Sequence, residues 1–260
     1  MIPIFAHRGF TARQPEMTRA AYVEAIRWAE STGSQLGLEC DVHFSSDGEL
    51  ICLHDLTVDR TSGARGRAYD FTVCELRQLD FSHGRVPDPT CDQKALVTLA
   101  DLLAMVSAAQ DRGVQVGLVI ETKHPNPRGL DVERRVADML AAYGWDRSES
   151  GVRLISFSQA AMEAFGLLLP ELERTFLIQT TLGEWADGHL PENFRISGPD
   201  VRLLHTDPGY VARAHAHGNQ VHPWTINTED DIRFCLELGV DGITTDDPEA
   251  IRTALQLKAR

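Results

Sequence analysis

The sequence has no apolar run that approaches the roughly 18 residues needed to cross a bilayer. Its longest apolar stretches, around 102–109 and 165–169, are interrupted by polar residues or proline. The amino terminus has neither a basic start nor an apolar segment of signal-peptide length. These absences argue against a membrane protein, and we expect a cytoplasmic location with no stable membrane insertion.

Positive charge is also scarce. The chain has 25 Lys and Arg against 38 Asp and Glu, which gives a net charge of −13. Such an excess of negative charge repels phosphate backbones and anionic lipid, so we expect no nucleic-acid partner. A small phosphorylated substrate stays compatible with this composition, because the local charge at a site can oppose the global sign.

Cysteine is sparse and irregularly spaced. The five cysteines include no C-x-x-C pair, and their number is odd. This pattern argues against a disulfide framework and against a structural zinc site. We therefore expect buried or incidental thiols.

The sequence does contain a regular alternation of strand and helix patterns. Amphipathic stretches, such as those capped at Thr18 and at the T-x-x-D signal of Thr98, separate short apolar segments. When the return strand of a hairpin after Ser45-Ser46-Asp47-Gly48 is set aside, eight strands are predicted to begin at Ile2, Leu38, Gln115, Arg153, Arg174, Arg202, Gln220 and Gly242. Eight βα units in about 250 residues predict an α/β fold, the (β/α)8 or TIM barrel.

A doubly wound sheet is the structural alternative to the barrel. No G-x-G-x-x-G follows the first strand, and no G-x-x-x-x-G-K-[ST] occurs anywhere, which counts against it. The segment 55–95 breaks the alternation, because it is rich in Asp, Arg, Gly and Pro and has poor periodicity. About 40 residues make a poor independent core. We therefore predict one domain over 1–260, with a small insertion, 55–95, after the second strand.

Acidic residues are concentrated where predicted strands end, which is where a (β/α)8 barrel carries its chemistry. Glu39 and Asp41 are separated by one residue, so both point to the same side of a strand. Glu121 from the neighbouring strand completes three oxygen ligands of the kind that suits Mg²⁺ or Ca²⁺. On spacing alone, a structural ion network in which Arg8 and Lys123 neutralise these carboxylates is an equally good interpretation.

Two histidines follow predicted strands, His7 after the first and His54 after the hairpin. Imidazole titrates near neutral pH, so this pair could act as general acid and base, although either ring alone is more often structural. Arg8 and Lys123 are cations suited to phosphate oxygens. Trp224, at the end of the seventh strand, could wall a substrate alcohol or simply be a core residue.

Several short motifs follow one another in a recognisable order. They are His7-Arg8-Gly9, Pro15-Glu16-Met17-Thr18, Glu39-Cys40-Asp41-Val42, His54-Asp55 with Asp59-Arg60-Thr61, Glu121-Thr122-Lys123, Pro223-Trp224-Thr225-Ile226-Asn227, and Gly239-Val240-Asp241-Gly242-Ile243-Thr244-Thr245-Asp246. Each motif is a weak signal alone, but the ordered set is specific and spans nearly the whole chain. It resembles the glycerophosphodiester phosphodiesterase family, whose fold is a (β/α)8 barrel.

The resemblance implies an enzyme that hydrolyses a glycerophosphodiester to glycerol 3-phosphate and an alcohol. It implies one divalent ion, Mg²⁺ or Ca²⁺ with Mn²⁺ as a further option. The implied roles are metal ligation by Glu39, Asp41 and Glu121, acid–base catalysis by His7 and His54, and phosphate binding by Arg8 and Lys123. The segment 55–95 matches the family's insertion, which helps to shape the substrate side of the barrel mouth.

The chain departs from the family at Met17, where P-E-N-T is usual, so a polar group is lost from the first βα loop and substrate choice could differ. Two alternative functions remain open. One is a lysophospholipase-D-like phosphodiesterase that forms a cyclic product, and the other is a non-catalytic glycerophosphodiester-binding protein. A metal-dependent amidohydrolase barrel is disfavoured, because His7 is followed by Arg8 and Gly9 rather than completing an H-x-H motif.

Overall fold

The computed structural model describes residues 2–191 and 193–258. Its strands are β1 (Ile4–Ala6), β2 (Leu36–Phe44), β3 (Leu50–Cys52), β4 (Val116–Thr122), β5 (Val152–Ser156), β6 (Glu173–Ile178), β7 (Ile196–Pro199), β8 (Gln220–Val221) and β9 (Ile243–Thr245). Its helices are α1 (Arg19–Thr32), α2 (Asp59–Ser62), α3 (Val73–Leu76), α4 (Cys91–Lys94), α5 (Leu99–Gln110), α6 (Asp131–Ala142), α7 (Gln159–Leu168), α8 (Val201–Thr206), α9 (Tyr210–Ala216), α10 (Glu229–Leu238) and α11 (Pro248–Lys258). No helix within these described ranges is long and apolar enough to cross a membrane.

The strands form one sheet that curls into a barrel. Parallel ladders join them in the order β8-β7-β6-β5-β4-β2-β1-β9, and β3 pairs with β2 in the antiparallel sense. Backbone hydrogen bonds connect the two ends of this order, with Asp241 N donating to Val221 O at 2.9 Å and Thr244 N donating to Pro223 O at 3.1 Å. The α/β (β/α)8 barrel predicted from the alternation is confirmed.

The barrel interior contains a small apolar cluster that lies beneath its mouth. Phe5, Val119, Ile155 and Leu177 come from four different strands and pack together, with Trp224 against them. A larger buried cluster fills the layer between the strands and the surrounding helices. Because alternate strand residues point to opposite sides, each central strand supplies both layers.

The predicted helix starts at Thr18 and Thr98 are confirmed. The Thr18 hydroxyl accepts a hydrogen bond from Ala21 N at 3.3 Å at the start of α1. Thr98 and Asp101 form a reciprocal capping box at the start of α5. These caps satisfy backbone donors that the first helical turn leaves unpaired.

One predicted strand is wrong. The strand expected to begin at Arg202 is helical and belongs to α8, and the barrel strand is instead β7, Ile196–Pro199. The Asp200 carboxylate caps α8 by accepting from Arg202 N at 2.9 Å. The glycine of β7 resembles a turn signal in the sequence, but a Cβ at Gly198 would lie 2.7 Å from Leu177 Cδ2. Contact with side chains of the neighbouring strand therefore favours glycine at this position.

The segment 55–95 carries the short helices α2, α3 and α4 and packs on the β2–β3 hairpin. Val58, Leu76 and Phe81 of this segment share a buried cluster with Ile51 and Leu53 of the hairpin. The packing fixes the chain immediately after β3, where the hairpin leads to the barrel mouth.

The close approach of β4 to the turn before β5 gives a test of the fold. A Cβ at Gly117 would lie 2.2 Å from Gly151 O, a backbone atom that cannot move aside alone. We expect Gly117→Ala to lower the free energy of unfolding by about 3 kcal/mol or more through overpacking. Urea denaturation with the linear extrapolation measures this change.

Gly166 in α7 is the matched control, because its Cβ would meet only the flexible end of Arg174 at 3.3 Å. Gly166→Ala should be neutral or stabilise by up to about 1 kcal/mol through helix propensity. Equal stability changes in the two variants would contradict the close approach.

Candidate active site

A cavity of about 290 Å³ opens at the carboxyl ends of the barrel strands. The residues proposed from sequence that line it are His7, Arg8, Glu39, His54, Glu121, Lys123 and Trp224. Asp41 lies behind this lining with only 1% of its surface exposed. The structure therefore brings all the sequence-proposed site residues to one place.

The cavity is built around three buried carboxyl groups. Asp41 and Glu121 are register partners in the β2–β4 ladder, and Glu39 precedes Asp41 by two positions on β2. One carboxylate oxygen from each lies within 4.8 Å of those of the other two. The pleat of two adjacent parallel strands thus aims all three groups at one point.

Two cations contact this carboxylate cluster. Lys123 Nζ lies 2.7 Å from Asp41 Oδ1 and 2.6 Å from Glu121 Oε1. Arg8 Nε lies 3.3 Å from Asp41 Oδ2, and the Arg8 backbone N–H donates to Glu39 Oε2 at 2.8 Å. The ion network considered in the sequence analysis is therefore part of the site.

The two cations do not balance the three carboxyl groups. Asp41 Oδ2 and Glu121 Oε1 are buried, and within the described part of the chain their charged contacts are the ion pairs with Arg8 and Lys123. Two cations leave one of three ionised carboxylates uncompensated, and carboxylate oxygens are hard ligands preferred by Mg²⁺ and Ca²⁺. The donor set fits one divalent cation held by Glu39, Asp41 and Glu121.

Burial shapes the ionisation of the cluster. It raises the pKa of Glu39 to about 7, with repulsion from Asp41 adding to the shift. Burial and Asp41 also raise the pKa of Glu121. Burial likewise opposes ionisation of Asp41, but Lys123 and Arg8 outweigh it and hold the pKa of that carboxyl well below its usual range. Glu39 therefore keeps a proton in acidic solution when no cation is bound.

His7 is oriented by a carboxylate from the last strand's end. Its Nδ1 lies 2.7 Å from Asp246 Oδ1. Asp246 also accepts from Thr11 Oγ1 at 2.8 Å and from Asn227 Nδ2 at 2.7 Å. Because a carboxylate accepts the proton of Nδ1–H, the other ring nitrogen, Nε2, stays available for the cavity.

His54 has a similar carboxylate partner but a more cationic setting. Its Nδ1 lies 2.7 Å from Asp55 Oδ1, and Asp55 Oδ2 accepts from Arg60 Nε at 2.7 Å. Burial lowers the pKa of His54, and the nearby Lys123 and Arg8 act in the same direction against the attraction of Asp41. The neutral imidazole is thereby favoured.

The sequence analysis assigned no role to Asp55 or Asp246, although both lie in the quoted motifs. A usable signal was present for Asp246. Since β1 and β9 are neighbours in a closed barrel, the residue after β9 lies beside His7, which follows β1. No comparable signal pointed to His124, which lines the cavity and lies with Nε2 2.8 Å from Glu133 Oε1.

Trp224 lines the cavity and also belongs to the interior packing. Its Nε1 donates to Gly198 O at 2.7 Å, and its ring meets Phe157 edge-on at a centroid distance of 5.5 Å. The packing interpretation is confirmed, and contact of Trp224 with a substrate alcohol stays a prediction. It is a fixed indole that forms one wall of the cavity.

Met17 occupies a left-handed backbone position with φ of 53°, and its N–H donates to Arg8 O at 2.9 Å. Asn adopts this conformation more readily than Met. The Met17 side chain is 3% exposed and packs in the large core cluster. The departure from the family pattern thus substitutes a buried apolar side chain for an amide.

Fold and cavity together define a (β/α)8-barrel enzyme. The model of the Glycerophosphoryl diester phosphodiesterase family matches residues 7–250, and the chain belongs to that family. It is 33% identical over 262 residues to the "Probable glycerophosphodiester phosphodiesterase 1" of Mycobacterium tuberculosis, covering 97% of this chain and 92% of that protein. It is 28% identical over 265 residues to the glycerophosphodiester phosphodiesterase of Bacillus altitudinis, covering 99% and 100%.

Solved structures share the architecture. A glycerophosphodiester phosphodiesterase from Parabacteroides distasonis superposes with a TM-score of 0.80 at 24% identity, covering 99% of this chain and 98% of that chain. An Oleispira antarctica phosphodiesterase, solved in complex with the product sn-glycerol-3-phosphate, gives a TM-score of 0.77 at 23% identity, covering 98% and 96%. At these identities the likeness establishes the fold.

The raised pKa of Glu39 predicts how stability depends on pH when no cation is bound. An unfolded glutamate releases its proton near pH 4.5, whereas folded Glu39 keeps it up to about pH 7. The folded state therefore binds more protons between these values, and stability falls as pH rises. The loss is on the order of 3 kcal/mol.

Glu39→Gln should remove this loss, because the amide carries no charge at any of these pH values. Urea unfolding of chelator-treated protein at pH 4.5, 6 and 8 measures the difference between the two chains. Glu30→Gln, at a half-exposed surface ion pair with Arg112, serves as control and should follow the unsubstituted protein. Parallel pH curves for the unsubstituted protein and Glu39→Gln would contradict the ionisation described for Glu39.

Proposed function

We propose that this chain is a metal-dependent phosphodiesterase that hydrolyses glycerophosphodiesters to sn-glycerol 3-phosphate and an alcohol. The observation that carries this proposal is one cavity that combines a buried carboxylate trio with two imidazoles, each bonded to a carboxylate through Nδ1. Family membership supports the reaction, and the product named for the Oleispira antarctica phosphodiesterase supports the glycerol phosphate side of the substrate.

In this proposal Glu39, Asp41 and Glu121 hold one divalent cation, Mg²⁺ or Ca²⁺, with Mn²⁺ as a further option. When bound, such an ion stabilises the negative charge that develops on the phosphoryl oxygens. Arg8 and Lys123 bind the same phosphoryl group as fixed cations. Both already lie at the cluster in ion pairs, so their charges are oriented before substrate arrives.

His7 and His54 transfer the protons. The lowered pKa of His54 supports a neutral ring that accepts a proton from the nucleophile through Nε2. His7 then donates a proton to the leaving alkoxide. Asp246 and Asp55 keep Nδ1 protonated on each ring, so proton transfer is confined to the nitrogen that is available to the cavity.

The leaving alcohol occupies the cavity beside Phe157 and Trp224, whose rings meet edge-on, and Leu56 also lines the cavity. Leu56 belongs to the segment 55–95, which we propose shapes the substrate side of the mouth. The net charge of −13 favours water-soluble, deacylated substrates over those embedded in anionic lipid.

The histidine roles predict large kinetic effects. His7→Ala and His54→Ala should each lower kcat by about 10² to 10⁴, which is the usual range for general acid–base catalysis. The assay follows glycerol 3-phosphate release from glycerophosphocholine, glycerophosphoethanolamine and glycerophosphoinositol. Phosphorus NMR of early products separates attack by water from attack by the substrate's own hydroxyl, which would give a cyclic phosphate.

His215→Ala is the matched control, because His215 also pairs with a carboxylate, lying with Nε2 2.8 Å from Asp241 Oδ2, but does not line the cavity. This variant should retain full activity. Full activity in the His7→Ala, His54→Ala double variant would reject the catalytic scheme.

The carboxylate trio predicts cation dependence. Chelator-treated protein should lose activity and regain it when Mg²⁺, Ca²⁺ or Mn²⁺ is restored singly. Because ion binding must displace the proton from Glu39, the rise in Tm on adding cation should be larger at pH 8 than at pH 6. Asp41→Asn should abolish both effects, and an undiminished rise in Tm in that variant would place the ion elsewhere.

A further inference from the structure

Arg60 lies at the centre of a hydrogen-bonded bridge between the segment 55–95 and the cavity. Its Nε donates to Asp55 Oδ2 at 2.7 Å. Its two terminal nitrogens donate to Glu16 at 2.6 and 2.7 Å, one to each carboxylate oxygen. We call Arg60, Asp55 and Glu16 the Arg60 bridge. One guanidinium thus uses all three of its nitrogens to fix two carboxylates that belong to different loops.

Each carboxylate of the Arg60 bridge holds a group that faces the phosphoryl site. Asp55 Oδ1 lies 2.7 Å from His54 Nδ1. Glu16 Oε1 accepts from Arg8 Nη1 at 3.0 Å, and Arg8 Nε faces Asp41. A displacement of Arg60 would therefore change the orientation of both the His54 ring and the Arg8 guanidinium.

Resting on the proposed function, we propose that Arg60 is a positioning residue that sets both His54 and Arg8 through the Arg60 bridge. Arg60 touches neither substrate nor reacting atoms in this scheme. It fixes the plane of Glu16, which holds Arg8 over the cavity, and the rotamer of Asp55, which holds the His54 ring. The segment 55–95 is thereby coupled to phosphate binding and to proton transfer.

Orientation, rather than stability, is what this bridge contributes. The Arg60 side chain is 48% exposed, and ion pairs with such exposed groups contribute little to folding. The two terminal nitrogens of Arg60 nevertheless bind both oxygens of the Glu16 carboxylate, and Nε is placed to bind Asp55 as well. Lysine keeps the charge but cannot make this set of bonds, so charge and geometry can be separated by substitution.

The test compares Arg60→Met and Arg60→Lys with the unsubstituted protein. Arg60→Met should lower kcat/KM by about 10- to 100-fold, as is usual when the partner that orients a site residue is lost. The loss should appear in both constants, with KM raised through Arg8 and kcat lowered through His54. Arg60→Lys should recover only a minor part of it. Tm should stay nearly unchanged in both variants.

A second substitution tests whether the effect travels through the bridge. The double variant Glu16→Gln, Arg60→Met should raise KM about as much as either single change, because both changes act on Arg8 through the same contacts. Arg67→Met is the matched control. Arg67 lies in the same segment, is 60% exposed, pairs with Asp70 at 3.1 Å and lies over the Tyr69 ring. The kinetic constants of Arg67→Met should therefore stay within about twofold of the unsubstituted values.

Long-range ¹H–¹⁵N NMR of the histidine rings gives a readout that does not need turnover. Arg60→Met should shift the ring nitrogens of His54 and leave those of His7 unchanged, since Asp246 does not contact Arg60. Unchanged His54 signals, or a kcat/KM within twofold of the unsubstituted protein, would overturn the positioning role. Failure of the unsubstituted protein to cleave any glycerophosphodiester would instead reject the proposed function, and the NMR arm would still test the bridge.

Discussion

Burial of three carboxyl groups at one point is the constraint on which the rest of the barrel mouth depends. Adjacent parallel strands aim Glu39, Asp41 and Glu121 at each other, and removing such groups from water is costly unless positive charge compensates them. Arg8 and Lys123 supply two charges, and Glu39 retains a proton as part of the remaining compensation. Once Glu39 loses this proton, the three carboxylates exceed the two cations by one charge, and the site has the oxygen donors to bind a further cation.

The two histidines are held in the same way but in different electrostatic surroundings. Asp246 is fixed by the neutral donors of Thr11 and Asn227, so its charge is directed largely at His7. Asp55 is shared between His54 and the guanidinium of Arg60. The two rings therefore have similar carboxylate partners, but only the partner of His54 is also bound by a guanidinium.

Much of the fold and part of the site could be predicted from the sequence, because the periodic signals are local. Alternation predicted the barrel, and the i, i+2 spacing of Glu39 and Asp41 predicted their common direction. The strand containing Gly198 was missed because this glycine reflects a close contact with Leu177 on a neighbouring strand. A contact between strands leaves no periodic pattern in the local sequence. The pairing of His7 with Asp246 followed from barrel closure and could have been found.

The Arg60 bridge could not be predicted in this way. The segment 55–95 has no periodicity that would place Arg60 against Glu16, a residue that lies 44 positions earlier in the chain. Its short helices are fixed by apolar packing on the β2–β3 hairpin rather than by a repeating pattern. Contacts that depend on such packing become visible only in three dimensions.

The motif His7-Arg8-Gly9 shows how several constraints meet in three consecutive residues. Arg8 adopts a left-handed backbone with φ of 57°, which aims its N–H at Glu39 while its guanidinium reaches Asp41. This conformation is unfavourable for arginine, and the contacts with the carboxylate cluster offset its cost. Gly9 follows with φ of 88°, and a Cβ there would lie 2.7 Å from the Cβ of Ala21 in α1. The glycine lets the chain turn tightly against α1, and that turn holds both His7 and Arg8 at the mouth of the barrel.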